Sequence, residues 1–386
     1  MQPTAVVGPR GAERARRGHP WIYRSDVAEV RATGGDLVEV VTGRGRRIGD
    51  ALYSDRSEIA LRFLTVGAER ADAALVRRRI LEAIDFRDRL AIDGDAYRLV
   101  HAEGDRLPSL VVDRYADCLV VQALSQGMDR LIGDVVEVLR DRLTPRAIVA
   151  RHEVRVRALE GLSQTVDILH GHVAETIAVR DRDLELEVDV LGGQKTGAFL
   201  DQRENRWVAA AYARGRLLDA FSYDGGFALR AASRVDEAVV LDAAHDAVAR
   251  IERNAARNGL ANVRARTVNA FDFLREAERA GERFDTIVLD PPAFAKSRAS
   301  VAKALAGYKE INLRALKLLH RGGTLVSCSC SYHVSEAMLL DVVEDAARDA
   351  HATLSIVERR QQSRDHPALL GVPETAYLKC LILRKL

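Results

Sequence analysis

The sequence is poor in cysteine, with four among 386 residues. That number is too small for a disulfide framework, and no pair has the C-x-x-C spacing typical of zinc sites. No apolar run approaches the roughly 18 residues that span a bilayer, and the polar, Arg-rich start lacks the apolar core of a secretory signal. We therefore expect a cytoplasmic protein without a bound metal and without a membrane partner.

A strong excess of charge is also missing, because the net charge is only +2. Residues 1–70 nevertheless contain 12 Arg and no Lys against nine acidic residues, a net charge of +3. Arg side chains cluster at 10–17 and 44–47, and such clusters can contact phosphate. Arg replaces Lys almost throughout this chain, so genome composition explains the clusters equally well.

The hydrophobic pattern changes twice along the chain and predicts three domains. Short apolar runs broken by Gly predict a small β-rich domain over 1–70. A helical period over 71–91 opens a central α+β domain over 71–185. The last part, 186–386, alternates between strand and helix patterns.

Four buried strands are predicted in this last part, at Arg216–Ala220, Ala238–Asp242, Phe284–Asp290 and Gly323–Cys328. Their continuous apolar character and the helical stretches between them are typical of a parallel sheet covered on both faces. The predicted fold class is therefore α/β, with a C-terminal doubly wound, Rossmann-like domain.

Polar residues stand at the ends of the first two of these strands. In an open parallel sheet, ligands bind beyond the carboxyl ends of the strands. Asp219 and the Gly225-Gly226 pair mark the first end, and Asp242 marks the second at a spacing that suits ribose hydroxyls. Each feature alone is equally a tight turn or a helix N-cap. Together they favour a cofactor that contains adenosine, although the G-x-G-x-x-G pattern of dinucleotide sites is absent.

The sharpest local feature is the turn Asp290-Pro291-Pro292-Ala293-Phe294. Two successive prolines fix φ and remove two backbone donors, which makes a rigid turn directly after a buried strand. Such a turn holds the carboxylate of Asp290 and the ring of Phe294 in a fixed pose. The alternative is an ordinary strand-ending turn with a capping Asp.

Several motifs in order resemble the bacterial 23S ribosomal RNA cytosine-5 methyltransferases, which belong to the class I S-adenosylmethionine-dependent enzymes. The resemblance covers essentially the whole chain, including a start that is similar to the family's RNA-binding PUA domain. The segments that carry it are Gly18–Tyr23, Leu107–Tyr115, Gln194–Arg203, Asp290–Phe294, Ser327–Ser331, Asp365–Pro367 and Glu374–Lys379.

This resemblance implies that S-adenosyl-L-methionine is the cofactor. The residues implied to bind it are Gln202, Arg203, Asp219, Phe221, Tyr223, Gly225, Asp242, Asn269 and Asp290. Asp242 would hold the ribose, while Gln202 and Arg203 would close over the cofactor. Asn269 departs from the pattern, since such enzymes often have an Asp there for the adenine amino group; its amide oxygen can accept the same hydrogen bond.

The resemblance also implies covalent catalysis by a cysteine. Carbon 5 of cytosine is a poor nucleophile until a thiolate adds to carbon 6. Two cysteines follow the fourth strand, and along a strand their side chains share one face. We expect Cys330, nearer the loop, to be the nucleophile, and Cys328, Cys118 and Cys380 to be packing residues.

The other implied roles concern the target base. Asp290 would contact its edge, beside Pro291 and Pro292, and Phe294 would stack on the flipped base. Ala293 stands where many RNA cytosine-5 enzymes have a second Cys. The identity of the base that removes the C5 proton is therefore open, with His366 and Lys296 as candidates.

Two other functions stay open at this stage. The D-P-P-x-F turn also resembles the turn of amino-methyltransferases, which need no thiol. A non-catalytic RNA-binding assembly factor is the second alternative, disfavoured by the intact cofactor motifs. As partner we expect 23S ribosomal RNA, bound in part by the PUA-like residues 1–70, and the sequence leaves a homodimer open.

Overall fold

The computed structural model describes residues 3–295 and 297–386, which form two compact units. The first unit runs to Arg182 and includes Val188–Ala198 and Arg364–Thr375. The second consists of Asp183–Glu187, Phe199–Ser363 and Ala376–Leu386. Within the described ranges, no helix is long and apolar enough to cross a membrane.

The first unit begins with a six-stranded sheet and one helix. Its elements are β1 (Thr4–Val7), α1 (Pro9–Arg16), β2 (Trp21–Tyr23), β3 (Val27–Arg31), β4 (Leu37–Thr42), β5 (Arg47–Tyr53) and β6 (Ile59–Val66). The strand order is β2-β6-β5-β4-β1-β3, and β1 and β4 are parallel whereas the other neighbours are antiparallel. Ile22, Val38 and Leu61 are buried in its core, so the prediction of β structure over 1–70 is confirmed.

A five-stranded sheet with helices follows in the same unit. The elements of this part are α2 (Ala73–Arg89), β7 (Ala96–His101), β8 (Leu110–Tyr115), β9 (Cys118–Ala123), α3 (Gln126–Arg130), α4 (Ile132–Leu143), β10 (Ala147–Arg151), α5 (Arg155–Leu159), β11 (Val166–Gly171) and β12 (Ile177–Asp181). Strand β12 lies outside the five-stranded sheet. The strand order is β11-β10-β9-β8-β7. The carboxylate of Asp72 caps α2 by accepting from the backbone N–H of Leu75 at 2.7 Å. The predicted helix over 71–91 is therefore confirmed.

The chain enters the second unit through β13 (Leu184–Val188). The remaining elements are α6 (Arg203–Tyr212), β14 (Arg216–Ala220), α7 (Gly226–Ala231), β15 (Glu237–Asp242), α8 (His245–Arg257), β16 (Val263–Thr267), α9 (Ala270–Ala280), β17 (Phe284–Leu289), α10 (Val301–Leu318), β18 (Leu319–Ser329), α11 (Glu336–Asp349), β19 (Leu354–Arg360) and β20 (Lys379–Lys385). The seven strands lie in the order β16-β15-β14-β17-β18-β20-β19. The first five are parallel, and β20 is antiparallel to both of its neighbours.

Helices cover both faces of this sheet. Residues of α9, α10 and α11 pack on one face in a buried cluster with Leu218 and Ile287. Residues of α6, α7 and α8 pack on the other face with Leu217 and Val240. The predicted doubly wound α/β fold is confirmed, whereas the division into three domains at residues 70 and 185 stays a prediction.

The order of the strands reverses between β14 and β17. From β14 the chain continues outward to β15 and β16, and it then returns to β17 and β18 on the other side. In open α/β sheets, ligands bind at the carboxyl ends of the two strands between which the order reverses. In this sheet those strands are β14 and β17.

Candidate active site

The turn after β14 has a strained backbone. Phe221 and Tyr223 have φ values of 65° and 52°, in the left-handed region that bulky residues rarely adopt. Such conformations cost on the order of 1–3 kcal/mol each and concentrate at functional sites. The turn is held by Ser222, whose backbone N–H and hydroxyl both donate to the carbonyl of Leu241, at 2.9 and 3.0 Å.

Asp219 lies at the base of this turn and is 0% exposed. One carboxyl oxygen accepts from the backbone N–H of Ala228 at 3.0 Å. The other, Oδ1, has no hydrogen-bond partner among the residues that the structure describes. Burial raises the pKa of Asp219 to about 8, and the nearby Asp290 acts in the same direction. An unsatisfied buried oxygen at the predicted cofactor turn suits a hydrogen-bond donor on a ligand.

Glycine suits positions 225 and 226 of the turn for two different physical reasons. Gly225 has a φ of 75° and precedes the first residue of α7. At Gly226, a Cβ atom would lie 2.3 Å from the guanidinium carbon of Arg206. The space beside Gly226 is therefore taken by a side chain of the same chain. Arg206 was not expected at this turn, because nothing in its helical segment marks it.

Asp242 ends β15 and is fixed by the neighbouring backbone. Its two carboxyl oxygens accept from the N–H groups of Tyr223 and Ala244, each at 2.9 Å. The carboxylate thus links the β14 turn to the start of α8. Each oxygen keeps acceptor capacity for a further donor, which is what binding ribose hydroxyls requires.

Asn269, the expected adenine contact, is the N-cap of α9. Its side-chain oxygen accepts from the backbone N–H of Phe271 at 2.9 Å and more weakly from Asp272 at 3.4 Å. The oxygen expected to meet the adenine amino group is therefore already used by the helix. The adenine role of Asn269 stays a prediction.

Gln202 is buried and contacts the D-P-P turn. Its amide nitrogen donates to Asp290 Oδ1 at 2.9 Å, and its amide oxygen accepts from Asn205 at 2.7 Å. The neighbouring Arg203 is also buried, with its guanidinium carbon 5.3 Å from the ring centroid of Trp207. The contacts of Gln202 orient the Asp290 carboxylate, and closure of Gln202 and Arg203 over the cofactor stays a prediction.

The D-P-P turn follows β17 directly at the carboxyl edge. Asp290 lies next to the β14 turn, with 3.5 Å between its backbone nitrogen and the carbonyl oxygen of Ala220. Pro291 is buried, and Pro292 is exposed.

Phe294, at the end of this turn, packs in an aromatic cluster. Its ring centroid is 4.8 Å from that of Tyr308, 5.9 Å from Phe271 and 6.4 Å from Phe221. Packing of this kind fixes the ring, and its stacking on a base stays a prediction.

The two cysteines near the end of β18 have different surroundings. Cys328 is 0% exposed, pairs in register with Cys380 and packs with it in the core. Burial raises the pKa of the Cys328 thiol well above its ordinary value. Cys330 is partly exposed, and its Sγ lies 3.9 Å from the carbonyl oxygen of Pro291. Cys330 is therefore the cysteine that reaches the D-P-P turn, and the predicted burial of Cys328, Cys118 and Cys380 is confirmed.

Two further side chains hold the segment around Cys330. The hydroxyl of Tyr308 shares hydrogen bonds with Ser329 at 2.9 Å and with Ser331 at 3.0 Å. The ammonium group of Lys379 donates to the carbonyls of Ser331 at 2.8 Å and Tyr377 at 2.9 Å. Neither residue was predicted from the sequence to act at this site. For Lys379, the indication in the sequence was a lysine directly before the apolar run that forms β20.

The two candidates for proton removal, His366 and Lys296, stay predictions. His366 belongs to the first unit, where its ring is buried with its centroid 5.1 Å from that of His101. Lys296 lies outside the described residues. The site geometry therefore assigns no proton acceptor.

Comparisons with known proteins agree with this geometry. A model of S-adenosylmethionine-dependent methyltransferases matches residues 106–384, and a model of PUA-like domains matches residues 6–66. Ribosomal RNA large subunit methyltransferase I of Vibrio cholerae is 37% identical over 387 residues, which covers 97% of this chain and 98% of that protein. The protein of the same name from Tolumonas auensis is 38% identical over 379 residues, with 95% and 96% covered.

Two solved structures share the fold over the full length of both chains. One, described as a methyltransferase complexed with SAH, has a TM-score of 0.86 at 20% identity. Another, described as a SAM-dependent methyltransferase from Streptococcus mutans, has a TM-score of 0.84 at 19% identity. With a family model that spans most of its length and relatives that match it nearly end to end, this chain belongs to the S-adenosylmethionine-dependent methyltransferases, in the group of proteins named ribosomal RNA large subunit methyltransferase I, and its cofactor is S-adenosylmethionine.

Proposed function

We propose that this protein forms 5-methylcytosine in 23S ribosomal RNA, with Cys330 as the nucleophile. The observation that carries the proposal is the position of the Cys330 sulfur, 3.9 Å from the carbonyl oxygen of Pro291. That position lies past the end of β18, beside the D-P-P turn, which in turn adjoins the strained turn after β14. A thiol at this edge is what cytosine-5 chemistry needs and what amine methylation does not.

The proposed reaction begins with a bond between the Cys330 thiolate and carbon 6 of cytosine. The electron pair of the C5–C6 double bond then makes carbon 5 nucleophilic, and carbon 5 takes the methyl group. When bound, S-adenosylmethionine supplies this methyl group from its sulfonium and is converted to S-adenosylhomocysteine. A base then removes the proton from carbon 5, the double bond forms again, and the thiolate of Cys330 leaves.

Asp290 is proposed to bind the edge of the target cytosine. The hydrogen bond from Gln202 to Asp290 Oδ1 fixes the orientation of the carboxyl group. When ionised, the Asp290 carboxyl group would accept a hydrogen bond from the exocyclic amine of the base. When protonated, it would donate to N3, and this donation would relieve the negative charge that develops during thiolate attack. The exposed ring of Pro292 would flank the base, and the fixed ring of Phe294 would stack on it.

The proposed cofactor contacts follow the strand ends. A positive charge on the methionine part favours the ionised form of Asp219. In that form, Asp219 Oδ1 would accept from the methionine part, beside Phe221, Tyr223 and Gly225, and Asp242 would accept from the ribose. The unsatisfied oxygen of Asp219 and the preset carboxylate of Asp242 support this arrangement.

Ribosomal RNA is proposed as the substrate because the relatives are named for it and because residues 6–66 match a PUA-like domain. We propose that the protein acts on this substrate in the bacterial cytoplasm, where ribosomes are assembled. A homodimer stays a prediction that light scattering would check.

The experiment compares two serine variants on 23S RNA from a strain that lacks the gene, with nucleosides identified by mass spectrometry. Cys330→Ser should abolish 5-methylcytidine, since serine is almost wholly protonated at neutral pH. Cys328→Ser, the matched control two residues away, should stay active. If Cys330→Ser still transfers methyl at a comparable rate, Cys330 is not the nucleophile. A product methylated on the exocyclic amine would favour that alternative, and wild-type protein that transfers no methyl to any ribosomal RNA would favour a non-catalytic role.

A further inference from the structure

Lys379 is a buried cation at the start of β20. It pairs in register with Ser329, the last residue of β18, and is only 6% exposed. Two of its three N–H groups donate to the carbonyls of Ser331 and Tyr377. Its ammonium group is thus hydrogen-bonded to Ser331, the residue that directly follows Cys330.

A buried ammonium group normally has a carboxylate partner, because burying an isolated charge is costly. Among the residues that the structure describes, no carboxylate lies within ion-pair distance of Lys379 Nζ. Burial lowers the pKa of Lys379 to about 8, and the Cys330 sulfur acts in the opposite direction, favouring the charged amine. The interaction is mutual, so a charged amine favours a thiolate at Cys330.

We propose that Lys379 is a positioning residue that holds the Ser329–Ser331 segment and supplies the positive charge that stabilises the Cys330 thiolate. This inference rests on the proposed function in taking Cys330 as the nucleophile. Two carbonyl contacts alone would explain a structural lysine. The missing carboxylate and the nearby thiol are what favour the electrostatic role.

Three other described groups near Cys330, those of Tyr308, Asp290 and Cys328, are not sources of positive charge. Burial raises the pKa of the Tyr308 hydroxyl, so Tyr308 is neutral at physiological pH. Asp290, one residue before Pro291, carries negative charge when ionised and so opposes a thiolate. Cys328, on the same strand, is fully buried and its raised pKa keeps it a thiol.

The test is the pH dependence of Cys330 alkylation in the full-length protein without RNA or cofactor. Iodoacetamide reacts with thiolates, and peptide mass mapping follows each cysteine separately. Lys379→Met removes the charge and keeps a side chain of similar length. The pH profile of Cys330 alkylation should therefore move to higher pH. A shift of one pH unit makes alkylation at pH 7 about tenfold slower. Lys379→Arg should stay close to wild type because it keeps the charge.

The matched control is Lys385→Met on the same strand. Lys385 also donates to two carbonyls, those of Leu316 at 2.7 Å and Leu319 at 2.8 Å. This variant removes a lysine of the same kind and should leave the Cys330 profile unchanged. Lys379→Gln, which keeps a donor without the charge, serves if Lys379→Met does not fold, and thermal melting shows which variants are folded.

A folded Lys379→Met or Lys379→Gln protein whose Cys330 profile superimposes on that of the wild type overturns the inference. An equal shift in Lys385→Met overturns it too, because the effect would then not depend on the charge at Lys379. The alkylation readout involves no cytosine. A shifted profile combined with an active Cys330→Ser enzyme would therefore retain the Lys379–Cys330 interaction and refute the proposed function, and the reverse combination would refute only the role of Lys379.

Discussion

Cys328 and Cys330 are two residues apart, a spacing that puts both side chains on one face of a continuous strand, yet the structure gives them different environments. Strand β18 extends through Ser329, so Cys328 still lies in the sheet beside Cys380 of β20. Cys330 is the first residue past the strand and contacts the D-P-P turn. The alternation of side chains could not separate the two cysteines. The position where β18 ends does so.

Asp219 should make stability depend on pH in a defined direction. Its pKa rises from 3.8 to about 8 on folding, so between these values the folded protein holds a proton that the unfolded chain has lost. This contribution to stability is full below pH 4 and is lost as pH rises towards 8. Asp219→Asn keeps a neutral group at every pH. Its free energy of unfolding in urea should therefore increase relative to that of the wild type as the pH rises from 5 to 8.

The control for this prediction is Asp246→Asn, an exposed carboxyl group in the first turn of α8. Its stability relative to wild type should show no such trend over the same range. If the curves for Asp219→Asn and the wild type stay parallel from pH 5 to pH 8, Asp219 is not protonated in the folded protein.

At the scale of single elements, Asp242 joins the end of β15 to the β14 turn. Asp242→Ala removes the proposed ribose contact and also the hydrogen bond to the Tyr223 N–H. Losing a charged hydrogen-bonding partner costs about 1.5–3 kcal/mol, so S-adenosylmethionine should bind roughly 10- to 150-fold more weakly by calorimetry. Asp246→Ala, four residues later, should bind normally. Unchanged affinity in Asp242→Ala would remove Asp242 from the site.

The β4–β5 hairpin is the element of the PUA-like region with Arg side chains available to phosphate. Arg44 and Arg46 are exposed in its turn and have no ion pair among the described residues. In contrast, Arg16 and Arg17 pair with Glu13 at 2.5 and 3.0 Å, and Arg10 pairs with Asp26. The Arg cluster at 10–17 is thus partly neutralised by Glu13 of the same helix and by Asp26.

Replacing Arg44 and Arg46 together by Ala should weaken RNA binding and lower the slope of log K against log salt by about 2, roughly one for each phosphate contact. The matched double variant, Arg16→Ala with Arg17→Ala, should change the slope less. Filter binding at several salt concentrations measures both. An unchanged slope for the Arg44 and Arg46 variant would show that the hairpin does not contact RNA.

The elements of the second unit could be predicted from the sequence, because buried parallel strands are continuous apolar runs. The predicted strand Arg216–Ala220 coincides with β14, and the acids at 219, 242 and 290 do lie at the carboxyl edge. The left-handed backbone of Phe221 and Tyr223 could not be predicted, because it is imposed by the tertiary contacts of Ser222 and Asp242. The placement of Lys379 depends likewise on the pairing of β20 with β18.

At the scale of the whole molecule, the compact units are not contiguous in the chain. Val188–Ala198 and Arg364–Thr375 belong to the first unit although most of the sequence around them forms the second. Within the first unit, Thr196 of the Gln194–Arg203 motif donates to Asp113 at 2.7 Å. Hydrophobic periodicity identifies single elements and carries no information about such long-range contacts.

The central claim, that Cys330 attacks carbon 6 of a cytosine, is tested most directly by trapping the covalent intermediate. Fluorine at carbon 5 cannot leave as a proton does, so the enzyme stays bound to a target that carries 5-fluorocytosine. Wild-type protein and Cys328→Ser, incubated with such RNA and S-adenosylmethionine, should form an adduct that survives denaturation, with the RNA mapped to the Cys330 peptide by mass spectrometry. Cys330→Ser should form none. An adduct of equal yield in Cys330→Ser, or no adduct in a wild-type protein that methylates the unmodified RNA, would contradict the account.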